Sequence, residues 1–261
     1  MIRKEMQTMS MKVVSMVAAG VLGGALGVLP GSAHAQSALK GRELIRADFS
    51  SDQVDRAQFG ITSWNIPETW ELRDGALACT YDPKLHPGKA HGKSIDPRFK
   101  AWNVRVSYRV KFEGEEARLG MLINAPFPAK TGIPVWHLGD VNARLPRSEK
   151  DVVLSISERD FTYDEHDPRN KRKSHGPADL FKPYLAYEVP GVNCKSPAAL
   201  EKGKWHQFVV ESVGTKWTLW VDGVEKLSLE MQHALCDKET INFIGFGPLL
   251  LDDIVVEELP K

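Results

Sequence analysis

Apolar and polar residues alternate with a period of two along much of this chain, most plainly in "WNVRVSYRVKF". Val104, Val106, Tyr108, Val110 and Phe112 share one face of an extended segment there, and Arg105, Ser107, Arg109 and Lys111 share the other. That is the signature of a half-buried antiparallel strand. The stretch "KWHQFVVESVGTKWTLWVDGVEKLSLE" continues it as three strands, Trp205 to Ser212, Lys216 to Val221 and Val224 to Leu229. Asp222-Gly223 joins the last two, and Asp74-Gly75 recurs in "TWELRDGALACTY". A two-residue type I′ turn needs positive φ at both central positions, which this dipeptide supplies. Further strands are predicted at Leu44 to Phe49, Leu119 to Ile123, Val152 to Ile156, Tyr184 to Tyr187, Ile241 to Phe246 and Ile254 to Glu257. No convincing helix is present, although "SPAALEKG" could form one turn before Trp205. Many short strands with Asp-Gly, Gly and Pro punctuation predict an all-β chain, a two-sheet antiparallel jelly-roll β-sandwich, with a β-barrel as the rival.

The N-terminus departs from this pattern. Arg3, Lys4 and Lys12 precede an apolar, small-residue run from Val13 to Leu29, followed by "PGSAHA" ending at Ala35. This is the layout of a secretory signal peptide, residues 1–35, with Ala33-His34-Ala35 as the cleavage site, and it predicts a single exported domain, residues 36–261, in the periplasm or outside the cell. No later segment is long and apolar enough to span a bilayer. Removing Arg3, Lys4, Lys12 and Glu5 leaves 31 basic against 33 acidic residues, a formal charge of −2. That balance carries no nucleic-acid footprint. Three cysteines, Cys79, Cys194 and Cys236, bound for an oxidising compartment allow one disulfide. Cys194 with Cys236 is the favoured pair, because both lie in loop-like sequence whereas Cys79 lies in a strand pattern.

The order of "DFSSDQ", "W…TWELRDGAL", "VRVSYRVKF", "KWHQFVVESVG…WTLWVDGVE" and "LLLDDIVVEEL" resembles the concanavalin A-like jelly-roll superfamily, which includes laminin-G-like domains and many secreted sugar-binding or sugar-cleaving proteins. Within it the chain is most similar to a divergent branch of the secreted bacterial 3-keto-disaccharide hydrolase-like family. The resemblance implies an exported protein with a carbohydrate or glycoside ligand. It implies a hydrolase or lyase acting by acid/base chemistry, or alternatively a non-catalytic carbohydrate-binding or laminin-G-like interaction module. The E-x-D-x-x-E and E-x-D-x-E strands of laminarinase-type hydrolases are missing here. "EGEEARLG", with Glu113, Glu115 and Glu116, reads as a turn, so a two-carboxylate retaining mechanism is not expected.

Candidate chemistry collects in the middle third. "ISERDFTYDEHDP" begins like a strand and ends in Asp164, Glu165, His166 and Asp167 before Pro168. In an extended segment Asp164 and His166 point one way while Glu165 and Asp167 point the other. Asp164, His166 and Asp167 are the candidate acid/base groups, with Glu165 at the substrate; the competing reading is a solvated turn offset by the basic run Arg169 to Lys173. In "GIPVWHLGDVNARL", Trp136 and His137 must face opposite sides, so one can be core while the other joins Arg144 in a sugar site. The stretch from Pro168 to Pro190 is long for a connection in a sandwich and could bring His175 over the site. His137, His166 and His175 with Asp167 could also collect a divalent metal, although no cofactor is firmly implied. Asp252 and Asp253 could hold a structural Ca²⁺, although "LDDIVVEEL" reads first as a closing strand, and His206, on the face of Phe208 and Val210, reads as a satisfied structural histidine.

Overall fold

The structure is a computed structural model that describes residues 39–50, 59–61, 70–82, 84–85, 94–126, 135–148, 151–160, 187–232 and 234–261, of which 59–61, 94–96, 126, 135–137, 159–160 and 187–191 are described as backbone only. These residues lie in the compact unit Ala33–Lys261. They form fifteen strands: β1 (Arg42–Ala47), β2 (Phe59–Ile61), β3 (Trp70–Arg73), β4 (Ala76–Cys79), β5 (Ser94–Ala101), β6 (Asn103–Phe112), β7 (Arg118–Pro126), β8 (Val135–Arg144), β9 (Leu154–Asp160), β10 (Tyr187–Ser196), β11 (Trp205–Val213), β12 (Lys216–Val221), β13 (Val224–Glu230), β14 (Lys238–Phe246) and β15 (Leu249–Leu259). The first sheet runs β13-β12-β11-β6-β15-β4-β3, with β1 also paired to β15, and the second runs β10-β9-β8-β7-β14-β5-β2. Every pairing is antiparallel. The two-sheet sandwich, and not the barrel, is therefore the architecture.

Alternation determines which residues meet between the sheets. Val104, Val106, Tyr108, Val110 and Phe112 of β6 are all buried, as are Phe208 and Val210 of β11, Leu119, Met121 and Ile123 of β7, and Ile241 and Phe243 of β14. Tyr108 stacks on Phe208 of its own sheet, with centroids 5.3 Å apart and planes 11° apart, and meets Phe243 of the opposite sheet edge-on at 5.0 Å. Both geometries suit aromatic quadrupoles. Burial raises the Tyr108 phenol pKa above its ordinary value.

The turn chemistry holds at both hairpins: Asp74 and Gly75 have φ of 55° and 74°, and Asp222 and Gly223 have 51° and 78°. Asp222 also anchors His206, whose Nδ1 lies 2.7 Å from Asp222 Oδ2. The backbone N–H of Glu201 donates to His206 Nε2 at 2.9 Å. Nε2 as acceptor requires the proton on Nδ1, so His206 is a neutral structural staple, as its face predicts.

Outward positions of the first sheet are neutralised across strands. Arg105 sits in register with Glu211 on one side and Glu257 on the other, and pairs with them at 2.6 and 3.1 Å. Arg109 lies 2.6 Å from both Asp252 and Asp253, and its guanidinium packs 5.0 Å from the Trp205 ring. Asp252 and Asp253 thus belong to the closing strand, as their sequence first reads, with their carboxylates on an arginine.

Three expectations change. "SPAALEKG" is not helical. The connection before β10 ends by Tyr187, so Tyr187 to Pro190 belong to a strand. The cysteines do not pair with one another: none of Cys79, Cys194 and Cys236 forms a disulfide. Cys194 is in edge strand β10, opposite Ile156, whereas Cys236 directly precedes β14. Four strand spacings separate β10 from β14, roughly 19 Å, while a disulfide spans Cα atoms about 4.4–6.8 Å apart.

Two measurements check this architecture. Phe243→Ala removes the ring that joins the sheets and is expected to cost about 3–5 kcal/mol in denaturant unfolding; a loss below about 1 kcal/mol would contradict the cross-sheet contact. Protein unfolded without reductant should titrate all three thiols, and a single reactive thiol would restore the disulfide.

Candidate functional site

The second sheet turns a different kind of surface outward. Leu119, Met121, Ile123, Val141, Ala143, Leu154 and Ile156 point into the core, so Arg118, Gly120, Leu122, Asn124, Asp140, Asn142, Arg144, Ser155 and Ser157 point away from it. Register assembles them into rows. Asn242, Leu122, Asp140, Ser157 and Asn193 lie side by side across β14, β7, β8, β9 and β10. Thr240, Asn124 and the backbone of His137 form the adjoining row.

Polar side chains on the outward face of a sheet are ordinarily solvated. Here Asn124 is 1%, Ser157 4%, Asp140 5% and Thr240 8% exposed. Such burial is tolerated only with hydrogen-bond partners, and they are present. Asn124 Nδ2 donates to Thr240 Oγ1 at 2.7 Å and also to Asn242 Oδ1. The Ser157 hydroxyl donates to Asp140 Oδ1. A carboxylate, two amides and two hydroxyls thus converge on a sheet face, a set suited to the hydroxyls of a polar ligand.

At the end of β8 this face runs into two hollows that share Arg118 and Arg144. The larger, of about 710 Å³, is walled by Tyr81, the Gly114 to Arg118 turn, Arg147 and the Phe246 to Pro248 turn. Local chemistry builds its walls. Gly247 takes φ of 68° and donates its N–H to Tyr81 O at 2.9 Å, while Glu113 and Gly114 both donate to Pro248 O. Gly114 has to be glycine, because a Cβ there would lie 2.6 Å from Pro248 Cγ. Phe246 meets Tyr81 edge-on at 5.7 Å and carries the Arg118 guanidinium 4.0 Å from its ring centroid. Cys79 also lines this hollow, but burial pushes its thiol up to about 11, so it is no nucleophile at neutral pH.

Arg144, a sequence-predicted sugar contact, borders both hollows with its hydrogen bonds spent locally. It donates to both carboxylate oxygens of Asp151 at 2.7 and 2.6 Å, and to the carbonyls of Leu145 and Val152. This fork staples the β8–β9 connection. Together with the Arg147 backbone N–H, it holds the Asp151 carboxyl down to about 2.

Of the other sequence-predicted residues, Trp136 and His137 are described as backbone, paired with Ala125 and Asn124. Asp164, Glu165, His166, Asp167 and His175 lie outside the described residues. No cluster of three or more His, Cys, Asp or Glu suited to a metal ion occurs among the described residues. Sequence reasoning missed Asp140, Ser157 and Asn124. The signal was present as Asp140-x-Asn142-x-Arg144 and Ser155-x-Ser157, a polar alternation matched to the apolar one, but it looks like any solvated strand face.

The sequence matches no family model, and no curated protein sequence matches it. The fold is similar to that of porphyranase B from Zobellia galactanivorans, with a TM-score of 0.59 and 9% identity over 89% of this chain and 98% of that one. It is also similar to a GlcNAcα1-4Gal-releasing endo-β-galactosidase from Clostridium perfringens, with a TM-score of 0.52 and 13% identity over 83% of this chain; the match spans 62% of that longer protein. At such identities the likeness establishes the architecture, a two-sheet antiparallel jelly-roll β-sandwich, and leaves the chemistry open.

The Arg144–Asp151 fork yields a pH signature. A carboxyl held below its ordinary value of about 4 stabilises the fold fully above that pH and loses its contribution as pH falls toward 2. Asp151→Asn should therefore melt below wild type at neutral pH. The gap should close between about pH 4 and pH 2; a gap that stays constant down to pH 2 would rule the fork out as a stabilising pair.

Proposed function

We propose that the chain is an exported carbohydrate-active protein whose sugar site is the outward face of the second sheet, and that it is a hydrolase or lyase acting on glycosides or 3-keto-glycosides. The observation that carries this reading is the burial of Asn124, Asp140, Ser157 and Thr240 on a sheet face directed away from the core. Two proteins of the same architecture with glycan-cleaving names, porphyranase B and the endo-β-galactosidase, support it. The leader-like residues 1–35 support export.

In this reading Asn124, Asp140 and Ser157 orient the sugar, with Trp136, His137, Glu165 and His175 as further contacts and Arg144 at the rim. Asp164, His166 or Asp167 moves the proton. In a 3-keto sugar the carbonyl acidifies the neighbouring C–H. One base can remove that proton, the electron pair forms the new C=C bond, and the aglycone leaves with a proton from a general acid. Such an elimination needs no matched pair of carboxylates.

The second reading, carbohydrate binding without turnover, is favoured by the same buried network, in which Asp140 is engaged with Ser157. Incubation of the purified protein with ordinary and 3-keto disaccharides, with and without chelator, separates the two. Product formation that Asp167→Ala abolishes while ligand still binds supports the enzyme. Binding with no product from any substrate leaves the binding module. Asp140→Ala is expected to weaken binding about tenfold or more in either case, and full affinity in that variant would remove the sugar site from this face.

A further inference from the structure

Resting on the carbohydrate reading of this sheet face, we propose that the glycan it takes is anionic: a saccharide bearing a sulfate ester or a uronate carboxylate, its charged group seated on Arg118 and Lys195. The smaller hollow, of about 350 Å³, is lined by Arg118, Arg144 and Lys195 together with Asn142 and Ser155, and among the described residues no carboxylate lines it. Its rows follow from register. Arg118 faces Arg144 directly across β7 and β8, and Asn142, Ser155 and Lys195 form the next row.

Like charges directly opposite on neighbouring strands are destabilising. The first sheet avoids that arrangement by placing Glu211 and Glu257 on either side of Arg105. The second sheet sets arginine against arginine, and Asp151 offsets only Arg144. Among the described residues neither Arg118 nor Lys195 has a carboxylate partner. Arg118 is nonetheless oriented, with its guanidinium held over the Phe246 ring at 4.0 Å. A planar guanidinium and an ammonium flanked by an amide and a hydroxyl make a donor set for an oxyanion, and arginine matches carboxylate and sulfate-like geometry through paired N–H groups. Asn142 and Arg144 are two and four residues from Asp140 along β8, which puts the Lys195 row roughly 7 Å and the Arg118 row roughly 13 Å from Asp140. One oligosaccharide can therefore place a hydroxyl-bearing ring at the Asp140 row and an anionic substituent at the Lys195 and Arg118 rows.

The test uses the purified protein and a panel of neutral, sulfated and uronate oligosaccharides with matched backbones, read by calorimetry. Anionic members should bind at least about tenfold tighter than their neutral counterparts, as charge-assisted contacts imply, and added salt should erode the advantage. In the double variant Arg118→Gln/Lys195→Gln, shown to be folded by its cooperative melting, the advantage should disappear while the neutral members still bind. Preference for the sulfated or the uronate members tells which oxyanion the hollow takes. Equal affinity for neutral and anionic ligands, or a preference that survives the double variant, overturns the anionic inference and leaves the carbohydrate reading standing. Absence of binding by every glycan overturns both.

Discussion

The packing of Tyr108, itself stacked on Phe208 of its own sheet, against Phe243 of the other sheet is the contact on which this molecule depends. It sets two sheets face to face, about 10 Å apart, and with the phase of one residue on each strand settled, every other residue of that strand is assigned inward or outward. Arg105 points outward because Val104 and Val106 point inward. Asp140 and Asn142 point outward because Val141 points inward. The candidate site is thus a consequence of core packing: without the apolar rows there would be no polar rows opposite them.

The two outward faces then diverge through electrostatics. On the first sheet, cations and anions alternate in direct register, so Arg105 and Arg109 are matched by Glu211, Glu257, Asp252 and Asp253. Ionic groups placed this way satisfy one another, and Arg105 can be nearly buried without stranding a charge. On the second sheet the polar groups are grouped by type. Amides, hydroxyls and one carboxylate gather in the middle, and cations gather at one end. The first face is thus satisfied by ion pairs across its strands, and the middle of the second by hydrogen bonds among amides, hydroxyls and a carboxylate.

Several parts of the fold were legible in the chain because they follow from local chemistry. The β6 alternation, the Asp-Gly turns at 74–75 and 222–223, and the structural character of His206 all rest on short-range rules. Strand β5 escaped notice because Pro97 and three charged residues interrupt "SIDPRFKA", and it is recruited by pairing with β14. The cysteine pairing failed because loop-like sequence carries no information on which strands lie between two thiols. Arg144 was marked as a sugar contact, whereas the structure shows it in a bidentate pair with Asp151, which looked like an ordinary loop acid. The polar row of Asn124, Asp140 and Ser157 was missed because its residues, taken one strand at a time, match any solvated face.

The sequence by itself determined the period-two faces, the hairpin turns and hence the all-β sandwich, since each depends on residues within a few positions of one another. Only the tertiary structure decided which faces adjoin. It brought Asn124, Asp140, Ser157 and Thr240 from four strands into one buried polar surface, and it set Arg118 opposite Arg144 while giving Arg105 two glutamates. The physical reason is that strand order and register are long-range quantities, selected by how the whole core closes, and the same alternating pattern is compatible with many neighbours until that closure has occurred.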